Sequence, residues 1–176
     1  MSVHRLRIDL FAFALGALAL LTLAFLGARN GAALVMCALC LAGLLGARLA
    51  GFPNRALVPV ALGLVVILWM VWIDPPASSH RTSALAHGAG GTLLGWALSE
   101  YLRGRLAWPL WALGAFACVF GLTVLWELGE YVGDRALGTA LIPSTRDSAV
   151  DIVFGTVGGA AAVALAGLLA PRRSPG

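Results

Sequence analysis

Six apolar runs, each near the ~20 residues needed to cross a bilayer as a helix, constrain this chain more than any other feature. They lie at about 8–27, 31–50, 56–73, 82–102, 106–132 and 147–170, in a chain that is 60% hydrophobic and 11% charged. A soluble domain carries about 25% charged residues. Barrel strands would be shorter and would alternate apolar with polar residues, so the runs predict an all-α, polytopic transmembrane helical bundle of six helices. The connections are short and rich in turn formers, as in Arg29-Asn30-Gly31, Gly51-Phe52-Pro53-Asn54, Asp74-Pro75-Pro76 and Arg103-Gly104-Arg105. The exception is the long segment 133–146. Arg5 and Arg7 precede the first run as they would in a signal peptide, but that run exceeds a signal core and more spans follow, which predicts a retained helix.

All twelve basic residues are arginines, set in ones and twos at the ends of the runs. With both termini cytoplasmic, Arg5, Arg7, Arg48, Arg55, Arg103, Arg105, Arg172 and Arg173 lie inside, and Arg29, Arg81, Arg135 and Arg146 outside. Eight against four satisfies the positive-inside rule. The expected location is a bacterial-type inner membrane, with lipid as the surrounding partner. No basic stripe interleaved with aromatics points to nucleic acid.

Polar chemistry is concentrated between His80 and Asp151, which hold two of the three histidines and six of the eight carboxylates. The chain therefore reads as one domain, 1–176, with packing and anchoring helices in 1–75 and a polar site in 80–165. Ionisable residues in a span cost on the order of 2.5–3.5 kcal/mol at the helix centre. At 1.5 Å per residue, His87, Glu127 and Asp151 each fall roughly 6–7 Å inside their helices, from the outer end. Glu127, Glu130 and Asp134 share a face at i, i+3 and i+7, and Asp147 and Asp151 share one at i and i+4. Gly91 with Gly95 and Gly155 with Gly159 have the GxxxG spacing that lets helices approach closely.

These residues carry a resemblance. His87 with Gly91 and Glu100, the E-x-x-E of Glu127 and Glu130, and the D-x-x-x-D of Asp147 and Asp151 with Gly158 are similar to the YjdF-like inner-membrane proteins, and more loosely to VanZ-like proteins, over roughly residues 80–165. The resemblance implies a multi-pass inner-membrane protein; the YjdF-like group implies no established activity.

Imidazole with carboxylates suits zinc, manganese or iron, whereas magnesium and calcium prefer oxygen alone. The expected ligands are His87, Glu127, Asp147 and Asp151, and the expected catalytic groups are Glu127, Glu130 and Asp151. Such a site would act as a divalent-metal-dependent enzyme on a lipid or lipid-linked envelope substrate. Two other readings stay open: a proton- or cation-coupled transporter, and a non-catalytic scaffold whose polar cluster fixes helix register. Individual residues have plainer roles too. Asp147 can serve the N-terminus of its helix, Glu130 can pair with Arg135 or Arg146, and Asp74 and Asp134 sit at loop edges. Glu100 is expected in a surface ion pair with Arg103, near Arg105. Cys37 and Cys40 read as small buried residues, and Trp69, Trp72, Trp108, Trp111 and Trp126 as interfacial belts. A serine mechanism using Ser78, Ser79, Ser83 or Ser148 lacks a nucleophile elbow.

Overall fold

A computed structural model describes residues 3–27, 31–73, 80–138 and 144–169. Among these residues the chain is helical throughout: α1 Val3–Gly27, α2 Gly31–Leu49, α3 Asn54–Ile73, α4 His80–Leu102, α5 Leu110–Leu137 and α6 Thr145–Leu169. Asp74, Ser78, Ser79, the His80 side chain and residues 139–143 of the expected long connection lie outside the described residues.

The helix ends follow local chemistry. Gly51, with φ of 80°, closes α2. The Phe52 N–H reaches back to Ala47 O at 3.0 Å and the Gly51 N–H to Arg48 O at 3.2 Å, which is the Schellman pairing. Pro53 follows and its carbonyl accepts from the Ala56 and Leu57 N–H groups, which starts α3 within a few residues. α5 starts four residues later than the apolar run, because the chain first makes a turn ending in Pro109. It then runs five residues further than expected, through Asp134 and Arg135. Gly138, in the left-handed conformation, stops it and returns its N–H to Asp134 O. At α6 the Ser144 hydroxyl accepts the Asp147 N–H at 3.2 Å, so Ser144 is the cap and Asp147 occupies the first turn.

The helices pack as two groups of three. α1, α2 and α3 enclose a core of Leu18, Leu21, Phe25, Cys37, Leu44, Ala61 and Leu68. α4, α5 and α6 enclose Leu98, Trp111, Ala115, Val119, Val163 and Ala166. α4 joins the groups, since it packs on α3 as well as on α5 and α6. It is also the least apolar of the six helices, so the helix with the most polar groups is the one with the most protein around it.

α4 and α6 run parallel at glycine-to-glycine distance. A Cβ at Gly91 would strike the Gly155 carbonyl, one at Gly95 would meet Gly159 Cα at 2.9 Å, and one at Gly158 would strike the Gly88 carbonyl. α5 runs antiparallel against both, with Val119 over Gly159 and Thr123 over Gly155. Every fourth residue therefore forms a stripe: 87, 91, 95 and 99 on α4, 127, 123, 119 and 115 on α5, and 151, 155, 159 and 163 on α6. Hydroxyls buried in these stripes bond within their own helices, Ser99 to Gly95 O at 2.7 Å and Thr123 to Val119 O at 2.9 Å.

Among the described residues, two helices, Leu110–Ala136 and Thr145–Leu169, are long and apolar enough to cross a membrane. Only 28% of each apolar window is buried by the rest of the chain, whereas a soluble core helix would be mostly covered. Phe120, Leu125, Val132, Val153, Val157 and Leu168 point outward from them. Outward rows of large apolar side chains mark a surface meant for an apolar environment.

Candidate metal centre

The uppermost level of the three stripes is polar. Where the levels below hold Gly91, Thr123 and Gly155, this one holds His87, Glu127 and Asp151. The close α4–α6 approach brings their side chains together, and one ligand atom from each lies within 4.8 Å of the others. Glu127 and Asp151 are buried, at 5% and 3% exposure.

The imidazole is oriented from its own helix. His87 Nδ1 lies 3.0 Å from the Ser83 carbonyl one turn earlier. A carbonyl oxygen only accepts, so Nδ1 carries the proton and Nε2 is turned toward the cluster. Nε2 lies 3.0 Å from Glu127 Oε1. The pair is close but out of line for a hydrogen bond, and both atoms are buried without a hydrogen-bond partner. Asp151 Oδ2 accepts the Ser83 hydroxyl at 2.7 Å and lies 3.6 Å from His87 Nδ1, while Asp151 Oδ1 is buried without a partner. Ser83 thus steers two members of the cluster, one through its carbonyl and one through its hydroxyl.

Each of the three residues keeps a buried atom without an in-line hydrogen-bond partner, and that has a chemical consequence. A buried polar atom left without a partner costs on the order of 1–3 kcal/mol, and two buried carboxylates beside an imidazole need a positive charge among them. A protonated imidazole supplies one such charge, as an ion pair with Glu127; a divalent cation supplies two and engages all three residues at once. An ion bonded at about 2.1 Å to each ligand needs those ligands no more than about 4.2 Å apart. Small side-chain rotations therefore close the set. Nδ1–H on a backbone carbonyl with Nε2 directed inward is the usual outer-shell support of a metal-binding histidine.

The other expected site residues take different positions. Glu130 is half-buried, and its Oε1 accepts the Trp126 indole N–H at 2.8 Å. Its expected partner Arg135 lies over the Tyr131 ring, 5.2 Å from the centroid. Asp147 is buried one turn before Asp151, with its backbone N–H on the Ser144 cap, and it is not one of the three residues within 4.8 Å. Glu100 makes the expected pair with Arg103, but not at the surface. It is buried at 3% exposure, with Oε1 2.6 Å from Arg103 Nη2 and Oε2 against Arg55 Nε, so it ties α3 to α4. These are charge pairs rather than in-line hydrogen bonds. Arg105 instead lies over the Tyr101 ring at 3.8 Å. Trp111 is also not at a boundary, since it is 4% exposed in the α4–α5–α6 core. Cys37 is fully buried in the other core, while Cys40 is partly covered and Cys118 faces outward.

Ser83 escaped the sequence reading as an orienting residue. Its place four residues before His87, on the same face, was the available signal. Arg55 as a partner of Glu100 had none, because the contact joins two helices.

Comparison with family models, with curated proteins and with solved structures gives no match.

Proposed function

We propose that this chain is a six-span protein of a bacterial-type inner membrane, with both termini cytoplasmic, whose outward-facing site holds one divalent transition-metal ion on His87, Glu127 and Asp151. The observation that carries this is the convergence of His87, Glu127 and Asp151 from three helices, each offering a ligand atom within 4.8 Å of the others and each keeping a buried atom without a hydrogen-bond partner. Helices of 19 to 28 residues span roughly 28–42 Å, enough for a bilayer core of about 30 Å. The apolar outer faces of α5 and α6 and the arginines at helix ends support the same membrane reading. The YjdF-like resemblance rests on the residues that build this centre.

One nitrogen and two carboxylates leave at least one coordination position open, which is the pattern of catalytic rather than structural sites. An ion held by these residues would supply a water of lowered pKa. Glu130, one turn beyond Glu127 with Oε1 held by the Trp126 indole, would be the further carboxylate able to hold and return a proton beside the centre. Depth near the outer interface makes a lipid or lipid-linked envelope ester the fitting substrate class. A coupled transporter is the second reading and asks for a second ion station on the path inward. Glu100, about 20 Å along α4 from His87, has both oxygens against guanidinium groups. Those pairs favour a structural role for it and leave the enzyme reading ahead.

Metal analysis of protein purified without chelators should give about one divalent transition-metal ion per chain, and none after His87→Ala. Equal metal content in both, or none in either, contradicts the proposal.

A further inference from the structure

The other end of the bundle carries a second organised site. The α2–α3 turn and the α4–α5 turn meet there, and each brings two arginines. Arg48 Nη1 donates to Asn54 Oδ1 at 2.7 Å, which fixes its guanidinium across the turn. Arg105 donates to Tyr101 O at 2.8 Å and covers the Tyr101 ring. That ring also stacks on Phe52, with centroids 4.1 Å apart and planes 9° from parallel. Gly51 approaches Arg105 Nη2 to within 3.9 Å of where a Cβ would sit. Arg55 and Arg103 are held side by side by the two oxygens of Glu100. Two of the four cations pair with the one buried carboxylate, so the four arginines and Glu100 together carry a net charge of three. Each guanidinium has five N–H donors, far more than the acceptors named here use.

The geometry points to a binding site for the phosphate of an anionic phospholipid at these two turns. Planar, pre-fixed guanidinium groups match phosphate oxygens in pairs. Leu49, Leu106 and Trp108 are exposed beside the arginines, which suits acyl chains and a membrane interface better than a soluble phosphate ligand. The inference rests on the six-span reading and is independent of the metal centre.

The test is native mass spectrometry of the delipidated full chain in detergent, titrated with phosphatidylglycerol or phosphatidylcholine, alone and with millimolar inorganic phosphate. The wild type should retain phosphatidylglycerol selectively, and inorganic phosphate should not displace it. Arg48→Gln with Arg105→Gln should weaken that binding roughly 30-fold, since each interfacial arginine contributes about a fivefold preference. This pair leaves the Glu100 contacts intact, and an unchanged circular-dichroism spectrum and melting temperature report that the variant is folded. Arg135→Gln with Arg146→Gln, at the opposite end, should leave lipid binding as in the wild type. Equal retention of both lipids, displacement by phosphate, or indifference to the Arg48/Arg105 pair each overturns the proposal. Wild-type protein that holds metal but shows no lipid selectivity fails this proposal alone, and one that selects phosphatidylglycerol but holds no metal fails the metal reading alone.

Discussion

A single methyl group at Gly91 should damage both the packing of the bundle and the site one turn above it. A Cβ there would lie 2.7 Å from the Gly155 carbonyl carbon and 2.9 Å from its Cα, where ordinary contact begins at 3.4 Å. The obstructing atoms are backbone, so no side chain can rotate aside and α4 and α6 must part by roughly 1 Å. Overpacking of this kind costs about 1–3 kcal/mol, with a backbone clash at the upper end. Alanine returns up to about 1 kcal/mol in helix propensity. The net loss is about 2 kcal/mol. His87 and Asp151 sit on the two helices that separate, and a misplacement of about 1 Å commonly costs on the order of 100-fold in function. Gly90→Ala is the internal control, because nothing lies within 4 Å of a Cβ one residue earlier; it should be neutral or slightly stabilising. Thermal denaturation of the three proteins in one detergent, read together with divalent-metal affinity, checks both halves of the argument. Equal stability and equal metal affinity for Gly91→Ala and Gly90→Ala would refute the glycine-to-glycine contact and the coupling of packing to site.

Two further outcomes follow from the same contacts. Ser83→Ala removes the hydroxyl that holds Asp151 Oδ2 while keeping the carbonyl that orients His87; metal affinity should fall about 10–100-fold with the fold intact by circular dichroism, and an unchanged affinity would show that Ser83 does not position the ligand. Arg55→Ala combined with Arg103→Ala leaves Glu100 buried without a counter-charge and should cost about 3–5 kcal/mol, whereas Glu100→Gln leaves two guanidinium groups that can turn to water and should cost distinctly less; denaturation midpoints in the reverse order would remove the buried-carboxylate account.

The parts of this architecture legible in the sequence are those governed by local period and composition. Helix identity followed from unbroken apolar runs, and the glycine pairs at 91/95 and 155/159 marked the helices that meet most closely. The shared depth of His87, Glu127 and Asp151 was also readable, because rise per residue converts position into height. Helix ends were less so. α5 begins after Pro109 and ends at Gly138 because turn and cap chemistry outweigh hydropathy there, and a run of apolar letters does not record that competition. Rotation about each axis was not legible. The spacing of Glu130 from Glu127 gives a common face, yet the indole of Trp126 draws Glu130 aside. Asp147 and Asp151 share a face too, but only the second lies level with His87. The burial of Glu100 depended on Arg55 arriving from α3, a contact between residues 45 positions apart that no local pattern announces.

Cobalt(II) titration followed by visible absorption tests the central claim most directly, since cobalt replaces zinc-like ions and reports the donors around it. The account predicts saturation at one equivalent per chain in the wild type, with ligand-field bands of a nitrogen and oxygen donor set, and loss of those bands in Glu127→Gln and in Asp151→Asn while both variants remain folded. Bands that persist unchanged in both variants, or a wild-type protein that gives only the spectrum of the aqueous ion, would contradict it.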